Sequence, residues 1–122
     1  MTRFGYPESA WMNAKKEARD ILIRRASGRI NQTISYSKLA EMVRAISFEA
    51  HEHAFHALLG EISEEEHAEG KGMLSVLVVY KNGPQMPGTG FFELAKELGH
   101  GFVNEEEFWV REFEKVLSVH QK

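Results

Sequence analysis

The chain contains no cysteine, which excludes disulfide bonds, thiolate nucleophiles and zinc sites built from cysteine. It also lacks a long apolar run, since Met73 to Tyr80 falls far short of the roughly 20 residues that span a bilayer. The first residues, MTRFGYPESAWMNAKKE, have no apolar core of the length that a signal peptide needs. We therefore expect a cytoplasmic protein without a membrane segment.

Lys and Arg are absent from residues 47–70, a segment that contains seven glutamates. Residues 1–46 have the opposite balance, with nine Lys or Arg against four acidic residues. Such an asymmetry can steer partners or self-association, whereas runs of one charge are more often solvated helix faces. Both interpretations stay open on the sequence alone.

No internal repeat, low-complexity tract or interdomain linker interrupts the 122 residues. A chain of this length is typical of one domain and can bury a core without a disulfide or a metal. The 43% hydrophobic and 27% charged content is ordinary for a soluble globular protein. We predict a single domain, residues 1–122, that needs no cofactor and no metal for folding.

Apolar residues at three- and four-residue spacing predict five to six helices. The first lies between Pro7 and Gly28. Gly60, followed by a capping box that begins at Ser63, divides residues 48–69 into two helices. The remaining predicted helices begin at Ser37, near Phe91 and at Asn104.

Two segments are rich in strand-forming residues. NQTISY, residues 31–36, predicts a short strand, and MLSVLVVY, residues 73–80, predicts a central strand covered on both faces. Asn82-Gly83 predicts a hairpin turn, because both residues tolerate positive φ, and the prolines that follow confine the returning strand to an edge. We therefore predict an α+β domain with a small antiparallel sheet and one core. The core residues we expect include Trp11, Ile21, Leu39, Leu58, Val78, Leu94 and Trp109.

The order helix, short strand, helix, helix, strand, turn, strand is that of a winged helix-turn-helix, with the Asn82-Gly83 region as the wing. Residues 33–40, TISYSKLA, resemble the "TYGxIA" entry to the winged-helix domain of alkylguanine alkyltransferases and alkyltransferase-like proteins. The resemblance implies a winged-helix-like domain that associates with DNA. Where that family has Pro-Cys-His-Arg, this chain has residues 76–79, VLVV, so alkyl transfer is excluded and base flipping has no support.

A second resemblance involves the later part of the chain. The arrangement LSVLVV…PGTGFFELAKELG, within residues 74–99, is similar to small bacterial proteins of unassigned function. This resemblance implies a bacterial protein and no particular chemistry.

A DNA-binding interpretation has to place its contacts on the basic first helix. Duplex DNA has one negative charge per about 1.7 Å of axis, and the helix at the recognition position is acidic. The predicted DNA contacts are the cations Lys15, Lys16, Arg19, Arg24 and Arg25. The competing interpretation is protein interaction, in which the acidic helix docks a basic protein partner or forms a homodimer through the basic half of a second copy.

The loop GPQMPGTGFF, residues 83–92, contains two glycines directly before a predicted helix. It matches neither a dinucleotide fingerprint, because Glu93 replaces the third glycine, nor a P-loop, because no Gly-Lys-Ser/Thr follows. Free amides at a helix start attract anions, and Thr89 is a natural cap. Two interpretations follow: an anion or small-ligand site at Thr89, Gly90 and Phe91, or glycines that serve only turn geometry.

The segment HEHAFH, residues 51–56, places His53 and His56 three residues apart, which is the spacing of a metal-binding pair on one helix face. The pattern differs from the zincin motif, and His67 or His100 would have to complete the ligand set. A solvated histidine-rich helix is the competing interpretation.

We predict no catalytic residue, because the serines lie in no nucleophile elbow and carboxylate pairs in a glutamate-rich helix carry little information. The first functional hypothesis is a non-catalytic binding module, with DNA association ranked ahead of protein interaction or self-association. A small-ligand domain at the glycine loop is the further alternative.

Overall fold

A computed structural model describes residues 2–121 as one α+β domain. Within these residues, none of the helices combines the length and apolarity needed to cross a bilayer. Five helices and two pairs of short strands are present among the described residues, in the chain order β1 Thr2–Arg3, β2 Tyr6–Pro7, α1 Glu8–Ser27, β3 Ile34–Ser35, α2 Tyr36–Met42, α3 His53–Ala68, β4 Val78–Val79, α4 Thr89–Glu97 and α5 Glu105–His120.

Helix α1 follows directly from the β1–β2 hairpin, in which Thr2 pairs with Pro7 and Arg3 pairs with Tyr6 in antiparallel register. Its apolar face is buried, and Trp11 has no exposed surface. The helix ends at Gly28, as predicted, although Gly28 is in an extended rather than a left-handed conformation. Among residues 2–121 the antiparallel strand pair therefore lies near the N-terminus, where the sequence analysis placed no strand.

The prediction of a central strand over residues 73–80 is wrong. Leu74–Leu77 forms a 3-10 turn, and only Val78–Val79 is a strand, which pairs in parallel with Ile34–Ser35. Side chains from other elements replace strand partners here: Ser63 Oγ accepts from the Ser75 amide at 2.9 Å, and the Trp109 indole donates to the Val76 carbonyl at 2.9 Å. These side chains satisfy the Ser75 amide and the Val76 carbonyl, which a neighbouring strand would otherwise have to pair.

The prediction of two helices over residues 48–69 is also wrong, because α3 continues through Gly60. Ser63 does not cap a second helix. Its side chain is buried and its Oγ lies 2.6 Å from Ser75 Oγ. Leu58, Leu59 and Ile62 are buried on either side of Gly60, and this packing outweighs the low helix propensity of one glycine.

The predicted core is confirmed in most of its members. Trp11, Leu39, Leu58 and Val78 have no exposed surface, and Ile21 is buried. Leu94 and Trp109 are partly buried against the same cluster. At the start of α5 the predicted cap is confirmed, because Asn104 Oδ1 accepts from the Glu107 amide at 2.9 Å.

The predicted hairpin turn at residues 82–83 is confirmed only in part, because Gly83 has a φ of +76° while Asn82 does not have a positive φ and residues 81–84 form a bend. The Tyr80 amide donates to the Met86 carbonyl at 3.1 Å, which closes the loop, but no returning strand forms among the described residues. Pro84 removes one of the backbone donors that such a strand would need.

We expect Gly83→Ala to lower the free energy of unfolding by roughly 1 kcal/mol, because a Cβ is disfavoured at positive φ. Nothing lies within 4 Å of the added Cβ, so the cost is conformational rather than steric. Urea denaturation of the wild type and of Gly101→Ala, whose added Cβ also has open space, provides the comparison. Equal stability of Gly83→Ala and the wild type would contradict the left-handed turn.

Candidate functional site

A cleft of about 510 Å³ lies between α3 and α4, and we refer to it as the α3–α4 cleft. It brings together residues of two separate sequence predictions, His53 and His56 of the metal prediction and Gly90 and Phe91 of the ligand prediction. Its other walls come from α2, α3, α4 and the 3-10 turn, through Tyr36, Ala57, Leu59, Gly60, Glu61, Glu64, Ser75, Glu93, Leu94 and Glu97.

Gly60 lies in the middle of α3 and on the wall of the cleft. A Cβ at this position would lie 3.7 Å from Leu94 Cδ2 of α4, which is an ordinary contact distance. Glycine in a helix interior costs roughly 0.5–1 kcal/mol relative to alanine, and no clash requires it here. The missing side chain therefore leaves space at the cleft at a cost in helix stability.

Tyr36 is buried and lines the α3–α4 cleft. Its hydroxyl accepts from the Gly88 amide at 2.8 Å, and its ring stacks on His56 with centroids 4.9 Å apart. Burial raises the pKa of the Tyr36 hydroxyl above its ordinary value, more than the Gly88 amide lowers it, so the ring remains a neutral phenol at pH 7. Tyr36 thus joins the start of α2 to the glycine loop and to α3.

Gly88 packs closely against Tyr80. A Cβ on Gly88 would lie 2.7 Å from the Tyr80 hydroxyl, so an alanine there would require this half-exposed side chain to shift. Tyr80 in turn packs on Tyr36 with ring centroids 5.0 Å apart. An alanine at Gly90 would have open space.

The two predicted metal ligands have other partners. His56 Nε2 lies 3.0 Å from the Ala50 carbonyl oxygen, and the His53 ring meets the Phe4 ring edge-on at 5.5 Å between centroids. Over residues 2–121, no group of three or more His, Asp or Glu side chains is arranged to hold a metal ion. His67 and His100 lie near each other instead, with centroids 5.1 Å apart.

The lining of the cleft is acidic. Glu64, Glu93 and Glu97 line it without an ion-pair partner among the described residues, and none of the described lining residues is a Lys or Arg. Helix α4 begins at Thr89 with Gly88 as its N-cap residue and no side-chain cap, so the prediction of Thr89 as the cap is wrong. The three carboxylates of the lining oppose an anion in the cleft and favour a cation.

Cations from residues 1–46 form ion pairs with glutamates from residues 47–70. Lys15 Nζ donates to Glu61 Oε1 at 3.1 Å and to Glu65 Oε2 at 2.7 Å, and Arg3 bonds Glu61 at 2.8 Å. Arg19 forms a further ion pair with Glu65. Three of the nine cations of residues 1–46 are thus paired with glutamates of α3, so part of the charge asymmetry is matched within the molecule.

The five cations of the DNA prediction differ in their exposure and in their bonding partners. Lys15 is buried and Arg19 is half-buried, and both are bonded to glutamates of α3. Lys16 and Arg24 are exposed, and Arg25 Nη1 donates to the carbonyls of Asn31 and Thr33. The surface still available to a phosphate backbone is smaller than the sequence suggested.

Burial raises the pKa of the Glu65 carboxyl, but the hydrogen bonds and charges of Lys15 and Arg19 outweigh it, so the pKa lies below its ordinary value. The ion pairs of Glu65 therefore stabilise the fold above pH 4.5, and this stabilisation is lost as the pH falls through the folded-state pKa.

Sequence reasoning missed Tyr36, Gly60 and Tyr80 as site residues. Gly60 was interpreted as a helix end and Tyr36 as part of a strand, because both assignments rest on local propensity. A weak signal was present: a single glycine inside a helical apolar pattern has a packing or functional cause.

Comparisons with protein-family models, with curated proteins and with solved structures find no match to this chain.

Proposed function

We propose that the protein is a non-catalytic binding module that holds a small organic cation in the α3–α4 cleft. The observation that carries the proposal is the convergence of the histidine segment, the glycine loop and Tyr36 on one cleft with an acidic lining. Leu59, Phe91 and Leu94 offer apolar surface to the body of a ligand, and the free carboxylates offer partners to an amine.

The bonding of the polar side chains supports binding rather than catalysis. Tyr36 is engaged with the Gly88 amide and His56 with the Ala50 carbonyl. Both side chains therefore hold backbone segments, and among the described residues neither forms a hydrogen bond to a second titratable side chain that would activate it as a base or nucleophile.

Three probes that differ in one group test the charge of the ligand: phenethylamine, phenethyl alcohol and phenylacetate. We expect the melting temperature to rise with phenethylamine, to rise less with the alcohol and to stay unchanged with the carboxylate. A ligand at about ten times its Kd adds about 1.4 kcal/mol to the free energy of unfolding, enough for a shift of several degrees.

The matched variants are Glu93→Gln/Glu97→Gln, which removes two cleft carboxylates, and Glu114→Gln on the exposed face of α5. The shift with phenethylamine should shrink in the first and persist in the second. Equal shifts with the amine and the carboxylate, or no shift with any probe, would contradict the proposal.

Gly60→Ala should separate stability from binding. The added methyl group raises helix propensity, so the free energy of unfolding should increase by roughly 0.5–1 kcal/mol. The same methyl group lies on the cleft wall beside Leu94, so the shift with phenethylamine should decrease. Ser118→Ala on α5 provides the control, since it raises helix propensity away from the cleft. Undiminished phenethylamine binding in Gly60→Ala would place the ligand elsewhere.

DNA association is a second hypothesis, and the exposed Lys16 and Arg24 would carry it. Its signature is a salt-dependent affinity that decreases when both side chains are neutralised. The winged-helix and bacterial resemblances, the docking of a basic protein partner and a cytoplasmic location are predictions from the sequence.

A further inference from the structure

One surface at the end of α1 combines positive charge with exposed apolar side chains, and we call it the basic patch. It is a depression of about 490 Å³ lined by Ile21, Arg24, Arg25, Ile30, Asn31 and Met42. Ile30 is 78% exposed and Met42 is 39% exposed. Neither arginine forms an ion pair with a described residue, and the described lining contains no carboxylate.

A second surface, at the start of α5, has the opposite charge, and we call it the acidic patch. It is a depression of about 560 Å³ lined by Asn104, Glu106, Glu107, Val110 and Arg111. Val110 is 41% exposed, and the adjacent Val103 is fully exposed. Two glutamates against one arginine make the patch net negative.

The two patches lie far apart on one molecule. Gln121, at the end of α5, donates to the Gly28 carbonyl beside the basic patch at 2.6 Å. The acidic patch lies at the opposite end of α5, whose 16 residues extend about 24 Å at 1.5 Å per residue. The patches therefore cannot meet within one chain.

The two patches carry opposite net charges and both contain exposed aliphatic side chains. Arg24 of the basic patch faces solvent without a carboxylate, Glu106 of the acidic patch faces solvent without a described cation partner, and both have exposed aliphatic neighbours. Charges across an interface fix its register and select the partner, while the aliphatic side chains contribute burial. Both patches lie outside the ion pairs that join α1 to α3.

We infer that the basic patch of one molecule docks on the acidic patch of a second copy, giving a weak, salt-sensitive, head-to-tail association. The contact is heterologous, because two different surfaces meet, and repetition of the contact forms a ring or an open chain. This association is independent of the ligand proposed for the α3–α4 cleft, since the patches share no lining residue with it.

Sedimentation velocity over a concentration series, at low and at high salt, tests the inference. The wild type should show concentration-dependent association that weakens with salt. Arg24→Glu and Glu106→Arg, both exposed substitutions, should each weaken it on the order of tenfold or more. Lys16→Glu, an exposed reversal on α1 outside the patch, should associate as the wild type does.

Mixing the two single variants is the decisive step. Arg24→Glu retains an intact acidic patch and Glu106→Arg retains an intact basic patch, so an equimolar mixture should regain the association that each variant alone has lost. Circular dichroism confirms that each variant is folded. A wild type that remains monomeric at every concentration, a mixture that stays monomeric, or a monomer that binds duplex DNA through Arg24 would overturn the inference.

Discussion

Val78→Asp should leave most of the protein unfolded at room temperature. Val78 has no exposed surface and its strand pairs with Ile34 of β3, so the substitution places a carboxylate in the core without a cation. Burial of an unpaired charge is among the few single changes that cost on the order of 5 kcal/mol, a large part of the stability of a typical domain.

Circular dichroism and urea denaturation measure this loss. Val78→Ala provides the control, because it leaves a cavity without a charge and should remain folded with a smaller loss of stability. A Val78→Asp protein with a melting temperature near that of the wild type would remove Val78 from the core.

Lys15→Glu should be the most destabilising charge reversal on α1. The ammonium group of Lys15 is buried between Glu61 and Glu65, so a glutamate would place a third negative charge beside two carboxylates. Removal of one partner from a fully buried ion pair costs on the order of 3–5 kcal/mol. The partial exposure of Glu61 and Glu65 reduces that cost here through solvent screening, and the new repulsion adds to it.

Lys16→Glu is the matched control, because Lys16 is one residue away, exposed, and paired only with Asp20 on the same helix. Its stability should lie close to that of the wild type, since surface pairs contribute about 1 kcal/mol or less. Equal urea midpoints for the two variants would contradict the ion pairs between Lys15 of α1 and the glutamates of α3. Lys15 would then be available for a binding surface.

The sequence predicts elements whose signals are local. The end of α1 follows from Gly28, the cap of α5 follows from Asn104, and the buried stripe follows from apolar spacing. These features depend on backbone conformation and helical periodicity, which neighbouring residues determine.

The failures have a shared physical cause, which is tertiary bonding that no local pattern encodes. Residues 74–77 are not a strand because Ser63 and Trp109 supply their hydrogen bonds from 12 and 33 residues away. Lys15 appeared to be a surface cation because its partners, Glu61 and Glu65, follow 46 and 50 residues later. The candidate cleft likewise depends on contacts between α2, α3 and the glycine loop, which only the folded chain brings together.

A titration of the protein with phenethylamine, followed in amide correlation NMR spectra, tests the proposed site most directly. The predicted result is a set of saturable shifts centred on Tyr36, Gly60, Gly90 and Phe91, with a smaller response in Gly60→Ala. Phenylacetate should leave those amides unchanged. Shifts confined to the basic patch, or phenylacetate shifts at the cleft as large as those of the amine, would contradict a cation site between α3 and α4.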